Sequence, residues 1–203
     1  GGTQREGGGI KVLADKYALC TEYAKEKGAD VIEMNFSCPN VHGKEGTIYK
    51  NPETAGLICE TVRKRVPNVK LLIKVGWAKK EEYRELLSAV HSSIDGVTAI
   101  NTIPMEVVDE NGNQALPGGL KSGVCGWAIL DLAVDAIAGI DALRKENGWD
   151  LVLVSCGGVT TPEATMRHIE AGSDMVTVAT AALFHPELPL AFEKYIREHA
   201  IRM

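Results

Sequence analysis

The segment Asp30-Val-Ile-Glu-Met-Asn-Phe-Ser-Cys-Pro-Asn40 is the most informative part of the sequence, because an apolar run ends abruptly there in a group of polar residues. Residues 31–34 have the composition of a short strand. Pro39 cannot donate a hydrogen bond to a sheet and disfavours helical geometry at the residue before it, so the strand must end here. A buried strand that brings two amides, a hydroxyl and a thiol into one turn is typical of the rim of a (β/α) barrel. A polar loop with a structural cysteine is the alternative interpretation.

Strand-like and helical segments alternate along the rest of the chain. The predicted strands are residues 29–35, 69–75, 96–100, 151–155 and 175–179. The predicted helices are residues 10–27, 52–66, 80–92, 128–145 and 188–199, with another helix starting at residues 161–163. Nearly continuous apolar strands separated by helices indicate a parallel sheet that is covered on both faces. Polar and glycine-rich residues follow the strands, which favours a barrel, although a doubly wound sheet stays an alternative.

Composition and charge exclude several classes of function. A net charge of −5 and a pI near 5.6 argue against a nucleic-acid partner, which would need a basic surface. No apolar run approaches the ~20 residues that span a membrane, and we expect no membrane association. The five cysteines include no Cys-x-x-Cys pair, so we expect free thiols, no metal site and a cytoplasmic location.

A series of short motifs occurs along nearly the whole chain. The motifs are Asn35-Phe-Ser-Cys-Pro-Asn40, a strand-borne Lys74, Asn101-Thr102, Gly118-Gly-Leu-Lys-Ser-Gly123, Cys156-Gly157-Gly158 and Val178-Ala-Thr-Ala181. In content and order they resemble the landmarks of class 1 dihydroorotate dehydrogenases, which are FMN enzymes on a (β/α)₈ TIM barrel. Each motif alone is a weak signal, whereas the ordered series is a strong one.

The resemblance implies FMN-dependent oxidation of (S)-dihydroorotate to orotate in pyrimidine biosynthesis. Cys38 would be the base that removes the proton from C5 while C6 passes a hydride to the flavin. The amides of Asn35, Asn40 and Asn101 and the hydroxyl of Thr102 would bind the substrate. Such amides match the alternating carbonyl and N–H groups of a pyrimidine ring.

The resemblance also implies a set of cofactor-binding residues. Lys74 interrupts an apolar strand, so its ammonium must reach a partner or solvent, and in this family that partner is the N1/O2 edge of the flavin. Backbone amides at the ends of the last two strands, with helix N-termini behind them, would bind the flavin phosphate: Gly157, Gly158, Ala179 and Thr180. Gly123 would add a further cofactor contact.

Two features differ from the family pattern. Lys121 lengthens the glycine-rich turn by one residue, and residues 124–127 replace a shorter family segment. A non-catalytic barrel that binds flavin or a pyrimidine without turnover is therefore an alternative. The chain shows about five C-terminal βα units of the eight in a barrel. We expect residues 1–203 to be a single FMN-binding barrel domain without its N-terminal strands, and to belong to a longer natural chain.

Other flavin barrels are rival interpretations. A dihydropyrimidine dehydrogenase-like enzyme would carry histidine at the position of Asn40, and a tRNA-dihydrouridine synthase would need a basic surface. For partners we expect a small pyrimidine substrate and a homodimer, with an FAD and iron–sulfur electron-transfer subunit as an alternative. The electron acceptor stays open.

Overall fold

The computed structural model describes residues 9–37 and 44–199. The strands in this part are β1 (Val31–Asn35), β2 (Lys70–Val75), β3 (Gly96–Ala99), β4 (Ile103–Glu106), β5 (Lys121–Val124), β6 (Val152–Cys156) and β7 (Met175–Thr177). Five of them form one parallel sheet in the order β1-β2-β3-β6-β7. This spatial order follows the chain order, whereas a doubly wound sheet reverses it. The sheet is part of a (β/α)₈ barrel wall, as the sequence predicts.

Helices connect the strands. They are α1 (Ile10–Glu26), α2 (Pro52–Arg65), α3 (Lys80–Val90), α4 (Leu130–Asn147), α5 (Pro162–Glu170), α6 (Thr180–Phe184) and α7 (Leu188–His199), with 3₁₀ segments at Lys44–Lys50 and Gly126–Ile129. The start of α2 follows from the local sequence, because the Asn51 side chain accepts a hydrogen bond from the Thr54 N–H and Pro52 occupies the first turn. Within the described ranges, no helix is both long and apolar enough to cross a membrane.

The helices pack in a row on one face of the sheet. Helix α1 contacts α2, α2 contacts α3, α3 contacts α4, α4 contacts α5, and α5 contacts α7. The strand side chains beneath them are at most 3% exposed: Met34, Leu71, Ile73, Val75, Val97, Ala99 and Leu153. Burial of this apolar face is the main contribution to stability.

The opposite, inner face of the sheet is only partly covered. Val31, Val152 and Met175 lie on it and keep 58%, 43% and 58% of their surface exposed. The prediction that the strands are covered on both faces therefore holds for β3, whose four residues are all buried, and is wrong for β1 and β7 at the edges of the sheet. The reason is geometric, because a curved wall of five strands does not close into a ring that fills its own interior with side chains.

Residues 104–126 differ most from the sequence prediction of a long loop. Strands β4 and β5 form an antiparallel hairpin there, and a further bridge joins Val108 to Gln114. The segment is rich in glycine, proline and asparagine, which favours loops, and its strands are largely exposed. The hydrophobic pattern therefore gave no signal for this pairing. The hairpin stands between β3 and α4, next to the carboxyl-terminal edge of the sheet.

Candidate active site

A cavity of about 120 Å³ lies where the carboxyl-terminal ends of β2, β3, β6 and β7 meet. Its lining includes seven of the residues that the sequence selects: Lys74, Asn101, Thr102, Gly157, Gly158, Ala179 and Thr180. Parallel strands place their carboxyl ends at one edge of a sheet, so residues far apart in the chain meet there. This edge is where (β/α) barrels carry their chemistry.

Lys74 supplies a positive charge to the cavity. It lies near the end of β2 and is paired across the sheet with Asn35 on one side and Thr98 on the other. The residue is half-buried, and its ammonium group has no hydrogen bond or ion pair with any described residue. A half-buried cation without a counter-charge favours binding of a negatively charged group beside it.

Asn101 connects the ends of two strands. Its Nδ2 donates a hydrogen bond to the carbonyl of Ser37, the last described residue before Cys38, and its Oδ1 accepts one from the Thr102 N–H at 3.0 Å. Its amide therefore fixes the backbone at Ser37, and its second N–H has no acceptor among the described residues. The Thr102 hydroxyl is buried and has no partner among the described residues.

The turn after β6 consists of two glycines in conformations that side chains disfavour. Gly157 has φ +133° and Gly158 has φ +75°. A Cβ at Gly158 would lie 2.5 Å from the Leu130 Cα, and one at Gly157 would lie 2.9 Å from the Ala133 Cβ. The turn therefore packs directly against the start of α4, and only glycine fits at both positions.

Sequence reasoning did not select several other residues of the cavity. They include Cys125, Gly126, Ile129, Cys156 and Thr177. The Thr180 hydroxyl donates to the Cys125 Sγ at 3.5 Å, which joins the segment before α4 to the start of α6. Thr177 could have been selected from the sequence, because it lies two residues before Ala179 on the same predicted strand, and alternate residues of a strand share a face. Cys125 has none, because it lies in the segment that differs from the family pattern.

The remaining predicted residues lie outside the cavity or outside the described ranges. Asn35 is exposed, and its Oδ1 accepts a hydrogen bond from the Ser37 N–H at 3.0 Å, so it builds the turn that ends β1. Gly123 lies on β5, where a Cβ would come within 2.7 Å of the Thr102 hydroxyl. Cys38 and Asn40 lie outside the described residues.

Comparison with known proteins identifies relatives. A sequence model of the family described as dihydroorotate dehydrogenase matches residues 6–200. The dihydroorotate dehydrogenase of Dictyostelium discoideum is 34% identical over 173 residues, which are 82% of this chain and 47% of that protein. The catalytic subunit of dihydroorotate dehydrogenase B (NAD⁺) from Desulforudis audaxviator is 30% identical over 195 residues, which are 93% of this chain and 61% of that protein. The chain thus spans about half the length of the curated relatives that it matches.

Comparison with solved structures supports the same assignment at the level of the fold. The DHODH of Eimeria tenella, solved in complex with ferulenol, matches with a TM-score of 0.72 at 16% identity, covering 91% of this chain and 55% of that one. The B-type catalytic subunits among the relatives confirm the class 1 resemblance of the motifs. The chain belongs to the dihydroorotate dehydrogenase family, whose members are flavin-dependent oxidoreductases.

Proposed function

We propose that the protein catalyses the FMN-dependent oxidation of (S)-dihydroorotate to orotate in pyrimidine biosynthesis. One observation carries the proposal: a single cavity joins a cation that forms no ion pair with a described residue, an amide beside a hydroxyl, and a two-glycine turn. These groups suit the anionic edge of a reduced flavin, a pyrimidine ring and a phosphate, respectively.

Three features of the cavity support FMN as its cofactor. The Lys74 ammonium forms no ion pair with a described residue, and the buried Thr102 hydroxyl has no partner among those residues. The backbone of the Gly157–Gly158 turn is not covered by side chains of its own, and only glycine fits there because a Cβ at either position would collide with α4. Lys74 would hold the flavin ring. The backbone at Gly157, Gly158, Ala179 and Thr180 would hold the phosphate. Gly123, which lies beside Thr102, would add a further contact with the cofactor.

The chain itself has to remove a proton from the substrate, and Cys38 is the proposed base. Ser37 forms two hydrogen bonds: its N–H donates to the Asn35 side chain, and its carbonyl accepts from the Asn101 side chain. These bonds fix the backbone just before Cys38. The proton of C5 passes to the Cys38 sulfur, and its electron pair forms the C5–C6 double bond as a hydride leaves C6. Bound FMN supplies the acceptor for that hydride. Asn40 and the free N–H of Asn101 would orient the ring.

Anaerobic reduction of the bound flavin tests this function. We expect the purified protein to carry FMN and its flavin absorbance to bleach when dihydroorotate is added. Dihydrouracil, which has no carboxylate, is the matched control and should leave the flavin oxidised. A flavin-loaded protein that dihydroorotate does not reduce would contradict the proposal and favour a non-catalytic barrel. Bleaching by dihydrouracil instead would favour a dihydropyrimidine dehydrogenase-like enzyme.

The proposal extends to partners and location. The B-type relatives are named as catalytic subunits, which supports an electron-transfer subunit with FAD and an iron–sulfur cluster as an alternative to the homodimer that we expect. Cys20, Cys59, Cys125 and Cys156 are free thiols, which is compatible with the proposed cytoplasmic location. Residues 1–203 are proposed to form one barrel domain. The mass of the purified assembly distinguishes a homodimer from a complex of two different subunits.

A further inference from the structure

A histidine beneath the glycine turn has no part in the function proposed above. His168 lies on α5 with 0% of its surface exposed, and its Nε2 is 2.9 Å from the carbonyl oxygen of Gly157. A carbonyl oxygen only accepts hydrogen bonds, so Nε2 must carry a proton and donate it. His168 is therefore hydrogen-bonded directly to the turn that lines the cavity.

The other ring nitrogen of His168 argues against a role in packing alone. Nδ1 is buried and has no hydrogen-bond partner among the described residues. Burial lowers the pKa of His168, the bond to Gly157 partly offsets this, and Arg167 lowers the pKa further, so the ring is neutral at pH 7. An apolar side chain would fill the same space without a buried nitrogen that lacks a partner. What histidine adds is the donor to Gly157.

This bond fixes the orientation of a peptide group at the cavity. The peptide between Gly157 and Gly158 is trans, so its N–H points away from the side to which its C=O points. Because the carbonyl is directed at His168, the Gly158 N–H is directed away from α5, and it has no hydrogen-bond partner among the described residues. Contacts with Leu130 and Ala133 hold the turn from the α4 side.

We propose that His168 is a positioning residue that orients the Gly157–Gly158 peptide so that the Gly158 N–H binds the flavin phosphate. The inference rests on the proposed function, in which this turn receives the phosphate of FMN. His168 itself does not contact the cofactor. Its effect must therefore depend on the phosphate, and this separates it from a general contribution to folding.

Two nearly isosteric variants of the full chain test the inference. His168→Gln keeps a donor near the position of Nε2, whereas His168→Met has the same length and no donor. The measurement is the dissociation constant of FMN and of riboflavin, which lacks the phosphate. We expect His168→Met to weaken FMN binding about 3- to 10-fold, the effect of one net hydrogen bond, and to leave riboflavin binding unchanged. His168→Gln should keep most of the preference for FMN.

His91→Met is the matched control, because the His91 Nδ1 also faces a backbone carbonyl, that of Leu87, at 3.1 Å, but away from the cavity. It should not change the ratio of the two constants. An unchanged ratio in His168→Met, or equal losses for both ligands, would overturn the inference while the proposed function stands. If His168→Met does not fold, loss of the FMN preference in His168→Gln overturns it. A parent protein without a preference for FMN would overturn the phosphate site and the role of His168 together.

Discussion

The two ends of the parallel sheet are built from opposite kinds of residue. At the amino-terminal end, Arg63 of α2 binds Asp95, the residue before β3, at 2.5 Å. The same guanidinium donates to the carbonyls of Val69 and Ser93. Asp95 also accepts a hydrogen bond from the Leu71 N–H at 2.9 Å. One ion pair therefore joins a helix, the strand after it and the start of the next strand.

The same arrangement of an ion pair and backbone hydrogen bonds occurs again in a later βα unit of the chain. Arg144 of α4 binds Asp174, the residue before β7, at 2.5 Å, and donates to the carbonyls of Leu151 and Gly172. Asp174 accepts a hydrogen bond from the Leu153 N–H at 2.7 Å. At this end of the sheet, charges and backbone groups thus satisfy one another.

The carboxyl-terminal end leaves its polar groups available. The Lys74 ammonium, the Thr102 hydroxyl and the Gly158 N–H have no partners among the described residues. Unpaired polar groups cost stability in the free protein and favour the ligand that pairs with them. We infer that the amino-terminal end stabilises the sheet and the carboxyl-terminal end binds ligands, so substitutions at the two ends should have separable effects.

Cys38→Ala should give the largest effect and should change only the chemistry. Loss of a positioned acid–base group is expected to slow reduction of the flavin by dihydroorotate ~10²–10⁴-fold. Binding of FMN and of orotate should remain, because neither depends on the thiol. Stopped-flow absorbance measures the rate, and equilibrium titration measures the binding. Reduction at the parent rate would remove Cys38 from the mechanism.

Arg144→Met should affect the opposite end and change only stability. It leaves the carbonyls of Leu151 and Gly172 without this donor and Asp174 without its ion pair. We expect the free energy of unfolding in urea to fall by about 2–3 kcal/mol. The affinity for FMN should not change.

Arg84→Met provides the matched control for that variant. Arg84 forms a two-point ion pair with Glu146 on the surface, where solvent screens the charges, and we expect its loss to lower the stability much less than Arg144→Met does. Equal destabilisation by the two substitutions would contradict the structural role given to the amino-terminal pairs.

Lys74→Met should weaken FMN retention or slow flavin reduction about 10-fold or more, which is ~1.4 kcal/mol per factor of ten. Lys70 is the natural comparison, because it lies on the same face of β2 at the other end and pairs with Asp95. Lys70→Met should leave both flavin properties unchanged. If Lys74→Met keeps the same flavin content and the same reduction rate as Lys70→Met, the role of Lys74 is refuted.

The smallest expected effect is a dependence of stability on acid pH. The Arg144 ion pair lowers the pKa of Asp174; partial burial opposes this shift, and the Leu153 N–H adds to it. A carboxylate whose pKa is lower in the folded protein stabilises the fold above its ordinary pKa of about 4 and loses this contribution as the pH falls through the lower value. The urea concentration at the midpoint of unfolding should therefore decrease as the pH falls below about 4, and it should decrease less steeply in Asp174→Asn. Parallel pH profiles would exclude this contribution.

Local patterns in the sequence predicted the main elements, and the ordered motifs selected seven of the fifteen residues that line the cavity. Each strand of the sheet ends within two residues of its predicted end, because a buried strand must be apolar and must stop where polar or glycine residues follow. Asn51 and Thr161 mark helix starts by capping backbone N–H groups three residues later. Lys74 interrupts an apolar strand, whereas Asn101 and Gly157 were selected because their motifs resemble those of the family.

Which distant groups meet follows from the three-dimensional fold and not from local sequence. The bonds of Asn101 to Ser37, of Arg63 to Asp95 and of His168 to Gly157 join residues 64, 32 and 11 positions apart. No periodicity records such pairs, because they depend on how strands align in register and how far each side chain reaches. The β4–β5 hairpin and the open inner face of the sheet are further cases. Sequence pattern reports whether a residue is apolar, and a pattern of this kind does not report which neighbour covers it.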